Sequence, residues 1–128
     1  MKPIAYVFPL TAMVVFLQAI TGAALELGFY DFGAHEMSGY LVGVLALAST
    51  AVAFAVKPKY NALRYASLTL LILVALQGTL GFAARTNDEL VVVHFVNALI
   101  LYGVSIAITF YAFRWDRTRT AAALSGQS

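Results

Sequence analysis

Apolar residues fall along this chain in four long runs separated by short polar links. The runs cover roughly residues 5–27, 35–56, 62–84 and 90–113. Each run has the length of about 20 residues that a helix needs to cross the hydrocarbon of a bilayer. Chain inside hydrocarbon must satisfy its own backbone hydrogen bonds, so helices are the expected form. The pattern predicts an all-α integral membrane protein, a bundle of four transmembrane helices.

The two halves of the chain repeat each other at an offset of 59 residues. Identical residues at that offset include Tyr6 and Tyr65, Val15 and Val74, Leu17 and Leu76, Gln18 and Gln77, Gly22 and Gly81, His35 and His94, Thr50 and Thr109, and Phe54 and Phe113. We therefore predict one transmembrane domain over residues 1–118, built of tandem two-helix repeats at 1–59 and 60–118, with a polar C-terminal tail at 119–128. Two spans per repeat give both repeats the same orientation, so the pseudo-twofold axis runs along the membrane normal.

Composition agrees with a membrane setting, and charge predicts the orientation. The 128 residues are 62% hydrophobic and 11% charged. Most cations fall on one side of the four spans, namely Lys2, Lys57, Lys59, Arg64, Arg114, Arg117 and Arg119. Cytoplasmic loops carry an excess of Lys and Arg, so we expect a multi-pass protein of the cell membrane with both termini in the cytoplasm. The net charge of +2 then reflects topology, and we expect no nucleic-acid partner.

The first apolar run is expected to be retained in the mature protein. It is longer than the apolar segment of about 7–15 residues in a signal peptide. It also recurs in the third run, which is internal to the chain.

The two histidines of the chain, His35 and His94, occupy equivalent positions near the outer ends of the second and fourth spans. A matched pair of imidazoles in an apolar protein suggests a group held between them. Haem iron is the leading candidate, because it takes axial imidazole nitrogens inside an apolar slot. We expect haem b, with haem O or haem A as alternatives. Another metal, a quinone, or a purely structural role for the histidines are the competing interpretations.

Zinc or copper would want further protein ligands. Asp31 and Glu36 are candidates, but Leu90 and Phe95 stand at their places in the second repeat, so a symmetric metal cage is not expected. The absence of cysteine excludes disulfides, thiolate ligands and covalent c-type haem within this chain.

Further residues are candidates for contacts to the haem. Arg85 is the sole cation on the outer side and a candidate partner for the propionates, with Asn87 and Tyr30 as further candidates. Gln18 and Gln77 are expected to form interhelical hydrogen bonds, paired between the first and third helices, with contact to the macrocycle as the alternative. Small residues let helices or a flat ring approach closely, and on that ground Gly22, Gly39 and Gly81 are assigned to the site.

Part of this pattern resembles the haem A synthase family. The stretch that carries the resemblance has Leu76, Gln77, Leu80, Gly81 and Ala83 followed by Val93, His94 and Phe95. It is similar to the fourth-helix region of those enzymes, and the first repeat resembles the preceding helix pair through Gln18, Gly22, His35 and Gly39. The family generally has eight spans in two halves. The resemblance therefore implies a half-size member with b-type haem between the two histidines.

The chain departs from the family at the residues needed for catalysis. The family has a glutamate three residues before the first histidine and an arginine directly after it, whereas Phe32 and Glu36 stand here. Asp31, one helical turn before His35 if the helix extends that far, and Glu26 are the candidate catalytic residues. The cysteine pair that many members carry in an outer loop is also missing.

Three functional classes remain open. The first is a b-type cytochrome that transfers electrons, alone, as a homo-oligomer, or as a subunit of a larger respiratory or oxidase complex. The second is a compact haem A synthase, an oxidoreductase acting on a methyl group of haem O. The third is a small transporter or assembly subunit without a cofactor. In each class the lipid bilayer surrounds the bundle.

Overall fold

The computed structural model of the protein describes residues 3–29, 31–56 and 61–125, without the side chains of 115, 116 and 118–125. It contains four helices, α1 (Ile4–Glu26), α2 (Phe32–Ala55), α3 (Ala62–Ala84) and α4 (Asp88–Ser125). All four are long and apolar enough to cross a membrane, α4 over Asp88–Arg114. The predicted four-helix membrane bundle is confirmed. Lys2, Lys57, Lys59 and Tyr30 lie outside the described residues.

The link between α1 and α2 is short because local signals end one helix and start the next. Gly28 adopts a φ of 75°, a left-handed conformation that suits glycine. Its N–H donates to the Leu25 carbonyl and the Phe29 N–H donates to the Ala24 carbonyl, the paired bonds of a Schellman motif. The carboxylate of Asp31 then accepts from the N–H groups of Gly33 and Ala34 and caps α2.

Helix α4 is longer than the predicted span. The sequence places the end of the fourth apolar run near residue 113, whereas the helix continues to Ser125. The added segment is rich in Ala, Arg and Thr and has neither Pro nor Gly, so nothing in it breaks the helix. A run of 38 residues exceeds the roughly 20 that cross the hydrocarbon, so the end of α4 extends beyond the span.

The helices form a square in which each one packs against two neighbours. The contacts are α1 with α2, α2 with α3, α3 with α4, and α4 with α1. Over residues 3–29, 31–56 and 61–125, neither diagonal pair brings its backbones together. The two histidines are thus carried by α2 and α4, which face each other across the bundle.

Dense packing is concentrated at the end of the bundle where α1 and α3 begin and α2 and α4 finish. Its buried residues include Ile4, Phe8, Val14, Val15, Ala53, Leu63, Leu70, Ile108 and Ala112. Hydrogen bonds cross this region: the hydroxyls of Thr11 and Ser49 lie 2.8 Å apart, and the Thr50 hydroxyl donates to the Ser67 carbonyl. Small polar side chains at helix contacts link membrane helices in this way. The opposite end, which carries the histidines, holds a cavity.

Candidate ligand site between two histidines

The imidazole rings of His35 and His94 face each other across the bundle. Their centroids lie 6.5 Å apart and their planes are inclined at 74°. Both side chains are half-buried, and each lies within two turns of the start of its helix, α2 or α4. The predicted juxtaposition of the two rings is therefore present, although the backbones of their helices stay apart.

The separation suits a single metal between the rings. A metal–imidazole bond of about 2.0 Å, added to about 1.1 Å from nitrogen to ring centre, places two rings that share one metal roughly 6 Å apart. The observed 6.5 Å is close to that value. The inclination of the planes is no obstacle, since each ring can turn about its own bond to the metal.

Glycines on the neighbouring helices make room for the rings. A Cβ atom added at Gly22 would stand 2.9 Å from Cε1 of His35, and one added at Gly81 would stand 2.9 Å from Cε1 of His94. Real Cβ atoms do not approach that closely, so a side chain at either position would displace the ring. In both repeats a histidine ring thus packs against a glycine of the neighbouring helix, a contact that we call a ring seat. The assignment of Gly22 and Gly81 to the site agrees with this geometry.

The two glutamines bond to the histidines of their own repeats. Gln18 Nε2 lies 3.3 Å from His35 Nε2 and donates to the His35 carbonyl at 2.9 Å, while Gln77 Nε2 lies 3.0 Å from His94 Nε2. The bonds therefore join α1 to α2 and α3 to α4. The expectation of a pair between α1 and α3 was wrong, because those helices are diagonal in the square.

A second polar residue holds each glutamine in place. The Ser38 hydroxyl donates to Gln18 Oε1, and Asn97 Nδ2 donates to Gln77 Oε1 at 2.6 Å. Ser38 and Asn97 are counterparts at the repeat offset. Sequence reasoning missed them because their identities differ, although a polar residue at both equivalent positions was a usable signal.

The repeats differ in how they treat the second ring nitrogen. His35 Nδ1 lies 3.2 Å from the Thr21 hydroxyl, which itself donates to the Gln18 carbonyl, so the ring nitrogen is the donor. Leu80 occupies the counterpart of Thr21, and a leucine offers no acceptor. Among the described residues, His94 Nδ1 accordingly has no hydrogen-bond partner although it is buried, a costly condition for a polar atom.

A cavity of about 830 Å³ adjoins the rings and is lined by all four helices. That volume lies within the range of about 300–1,000 Å³ found for small-molecule and cofactor sites. The lining is mainly apolar, with Val15, Leu25, Val74, Val91, Phe95 and Leu101 among its residues, and the polar groups His35, His94, Gln18 and Gln77 converge on it. Few polar groups in an apolar cavity are typical of a ligand site.

Arg85 stands at the wall of this cavity but already has partners. Its guanidinium lies 2.9 Å from a Glu36 carboxylate oxygen and over the rings of Phe32 and Phe82, at 4.5 and 5.2 Å from their centroids. Both charged side chains are more than a third exposed. The pair was not foreseen, and it means that a propionate would have to share Arg85 with Glu36.

The remaining candidates divide between local and cavity roles. Asp31 caps α2, and Asn87 Oδ1 accepts from the Glu89 N–H at the start of α4. Both side chains therefore stabilise the start of a helix. Glu26 lines the cavity. Gly39 also lines it, and a Cβ there would stand 3.2 Å from Gln18 Nε2.

Within the described part of the chain, no three His, Cys, Asp or Glu side chains come together as a metal cluster. Comparison with known proteins adds no identity: no family model, curated protein or solved structure matches this chain.

Proposed function

We propose that this protein binds one b-type haem, with His35 and His94 as the two axial ligands. The observation that carries the proposal is the 6.5 Å separation of the two rings beside an apolar cavity of about 830 Å³. Haem brings four of its own nitrogens, so a pair of imidazoles is all that the protein must add at the iron. A metal ion without a porphyrin lacks those four nitrogens, so it would have fewer ligands at this site than haem iron has.

Two polar interactions must change when the ligand binds. Each Nε2 now faces a glutamine amide, and an imidazole nitrogen that ligates a metal cannot also accept a hydrogen bond. Gln18 keeps the His35 carbonyl as an acceptor, and both glutamines stay anchored through Oε1 by Ser38 and Asn97. The amides can therefore release Nε2 without being left unpaired on the oxygen side.

Electron transfer is the activity that we favour. Ligation by both imidazoles would leave the iron without an open position, and haem so held would supply a reversible one-electron couple. The chain contributes the close packing of Gly22 and Gly81 against the rings and a mainly apolar cavity lining. We further propose a place in the cell membrane with cytoplasmic termini, from the distribution of Lys and Arg, and either a free cytochrome or a subunit of a respiratory or oxidase complex.

A compact haem A synthase is the second candidate, favoured by the position of Glu26. This carboxylate lines the cavity, whereas Asp31 is used as a helix cap. The synthase interpretation therefore depends on Glu26 in place of the family glutamate, whose position holds Phe32. Incubation with haem O and a reductant, followed by extraction and chromatography of the pigment, separates the candidates, because only a synthase changes the haem.

The test of haem binding is an absorption spectrum of the purified protein titrated with haemin in detergent. We expect a sharp Soret band and split visible bands on reduction, as six-coordinate low-spin haem gives. We expect His35→Ala and His94→Ala each to lose most of the haem or to turn it five-coordinate. Gly103→Ala, on the lipid-facing side of α4 with nothing within 4 Å of the added Cβ, is the matched control and should bind like the wild type. Low-spin spectra retained in both histidine variants contradict the proposal.

A further inference from the structure

The cavity is not symmetric, although the histidines beside it are. Its wall includes Tyr40, Gly43, Val44 and Leu47 of α2 and Ala75, Gly78, Thr79 and Phe82 of α3. At the repeat offset their counterparts are Leu99, Tyr102, Gly103 and Ile106 of α4 and Phe16, Ala19, Ile20 and Ala23 of α1. Only Ala19 among these counterparts lines the cavity. The cavity therefore lies closer to the interface between α2 and α3, which we call a seam, than to the seam between α1 and α4.

The asymmetry of the cavity follows from one pair of positions at which the two repeats have different residues. Phe16 of α1 and Tyr102 of α4 stack with their ring centroids 5.3 Å apart and their planes at 29°, which fills the seam between those helices. The equivalent positions on the other seam are Ala75 and Gly43. A methyl group and a hydrogen cannot span a gap that two aromatic rings fill.

The lining residues beside this gap reach the outside of the bundle. Val44 is 63% exposed, Leu47 60% and Phe82 71%, yet all three also line the cavity. Residues that face both the cavity and the surroundings mark the place where the cavity opens. All three are apolar, so the opening suits hydrocarbon rather than water.

The position of the gap along the helices places it within the bilayer. Gly43 follows His35 by eight residues, about 12 Å along α2 at about 1.5 Å per residue. Towards the outer end, the same seam carries the Arg85–Glu36 ion pair, with Phe32 and Phe82 against the guanidinium. An outer path to the rings would thus have to pass an ion pair, whereas the lateral path is lined by apolar side chains.

We infer that haem enters and leaves this site sideways from the bilayer, through the opening between α2 and α3 at Gly43 and Ala75. The inference rests on the proposed haem binding and adds the route and the side of the bundle. The stacked pair of Phe16 and Tyr102 makes the opposite seam a fixed wall. The duplication thus keeps two equal ligand positions while one seam has become a portal.

The experiment follows haem uptake by apoprotein reconstituted into phosphatidylcholine vesicles that contain haemin. The rate is read from the growth of the Soret band, and the occupancy from its final height. The double variant Gly43→Tyr with Ala75→Phe places on the open seam the aromatic pair that closes the other one. We expect uptake to slow by roughly tenfold, equivalent to about 1.4 kcal/mol in the barrier, and the release rate to fall in parallel.

A reversible block serves as the second arm, because the double variant is large and the chain has no cysteine of its own. Gly43→Cys labelled with a bulky methanethiosulfonate should take up haem slowly and recover the wild-type rate when the label is removed by a reductant. Gly103→Cys is the matched control, since Gly103 is a lipid-facing glycine of α4 away from the cavity, and its label should leave the rate unchanged.

Four results overturn the inference in separable ways. A wild-type protein that takes up no haem overturns the proposed function itself. Wild-type uptake with an unchanged rate in both blocked forms overturns only the lateral route. Faster uptake in Arg85→Ala with Glu36→Ala, together with no effect of the blocks, assigns entry to the outer end. A thiol at Gly43→Cys that resists a lipid-soluble maleimide in vesicles, while the Gly103→Cys thiol reacts, means that a second copy covers the seam, and the portal is then wrong.

Discussion

His35 and His94 approach to 6.5 Å between ring centroids although the helices that carry them are diagonal in the bundle and their backbones stay apart. The imidazoles bridge a gap that the backbones leave open. Each ring is seated against a glycine of a neighbouring helix, Gly22 or Gly81, and each is held by a glutamine of its own repeat. The pair is therefore built by the whole square of helices rather than by the two helices alone.

The glycine seats give the first prediction. Gly22→Ala or Gly81→Ala brings a methyl group to 2.9 Å from the imidazole, so the ring must move away from its counterpart. Overpacking of this kind costs about 1–3 kcal/mol, and we expect haem affinity to fall by roughly tenfold or more, measured by haemin titration.

Gly78→Ala is the matched control for the seats. Gly78 lies on α3 and lines the cavity, but an added Cβ there meets nothing within 4 Å, and the first repeat has Ala19 at the same place. Its affinity should stay at the wild-type value. An equal loss in all three variants would show that the seats have no special role.

The glutamines give a prediction that separates the stability of the apoprotein from its haem affinity. Gln77→Leu removes the hydrogen bond to His94 Nε2 and the acceptor for Asn97. Interhelical hydrogen bonds in membrane proteins contribute about 0.6 kcal/mol on average and up to about 1.7, so the apoprotein should unfold more easily by that order, measured by thermal denaturation in detergent.

Haem affinity in the same variant should not fall, because the amide competes with iron for the same nitrogen. Thr69→Val, which removes an exposed hydroxyl bonded within its own helix, controls for changes in α3. A loss of haem as large as that in His94→Ala would instead make the glutamine part of the binding site.

The outer ion pair gives the third prediction. Glu36→Gln keeps the shape of the side chain but removes a negative charge 2.9 Å from Arg85, which frees the guanidinium for a propionate. Exposed ion pairs contribute about 0–1 kcal/mol, so the stability of the apoprotein should change little, while haem affinity should rise severalfold. Arg85→Ala should lower haem affinity modestly. If neither variant changes the affinity measured at low ionic strength, Arg85 makes no contact with the haem.

The sequence predicted the helices well because their signal is long and local. The third span was predicted at the observed bounds of α3, and the others within a few residues at most ends. The exception is the end of α4. The polar residues after the fourth apolar run predicted the end of the helix there, although Ala, Arg and Thr continue it. Length, apolar character and repeat offset are properties that a single chain displays directly.

The partners of side chains were harder to predict, because they depend on which helices are neighbours. Gln18 and Gln77 are equivalent in sequence, and that equivalence suggested that they pair with each other. In the square their helices are diagonal, so each bonds to the histidine of its own repeat. The Arg85–Glu36 pair and the open seam at Gly43 are of the same kind: both arise between α2 and α3, at positions where the repeats differ.

The most direct test of the central claim is the electron paramagnetic resonance spectrum of the ferric protein loaded with one equivalent of haemin per chain. Two imidazoles on one iron give a low-spin signal. If the ring planes keep their 74° inclination when they ligate the iron, the signal would take its strongly anisotropic form, with a large maximum g value. A high-spin signal, or a low-spin signal that survives in both His35→Ala and His94→Ala, would contradict the claim that this pair grips a single iron.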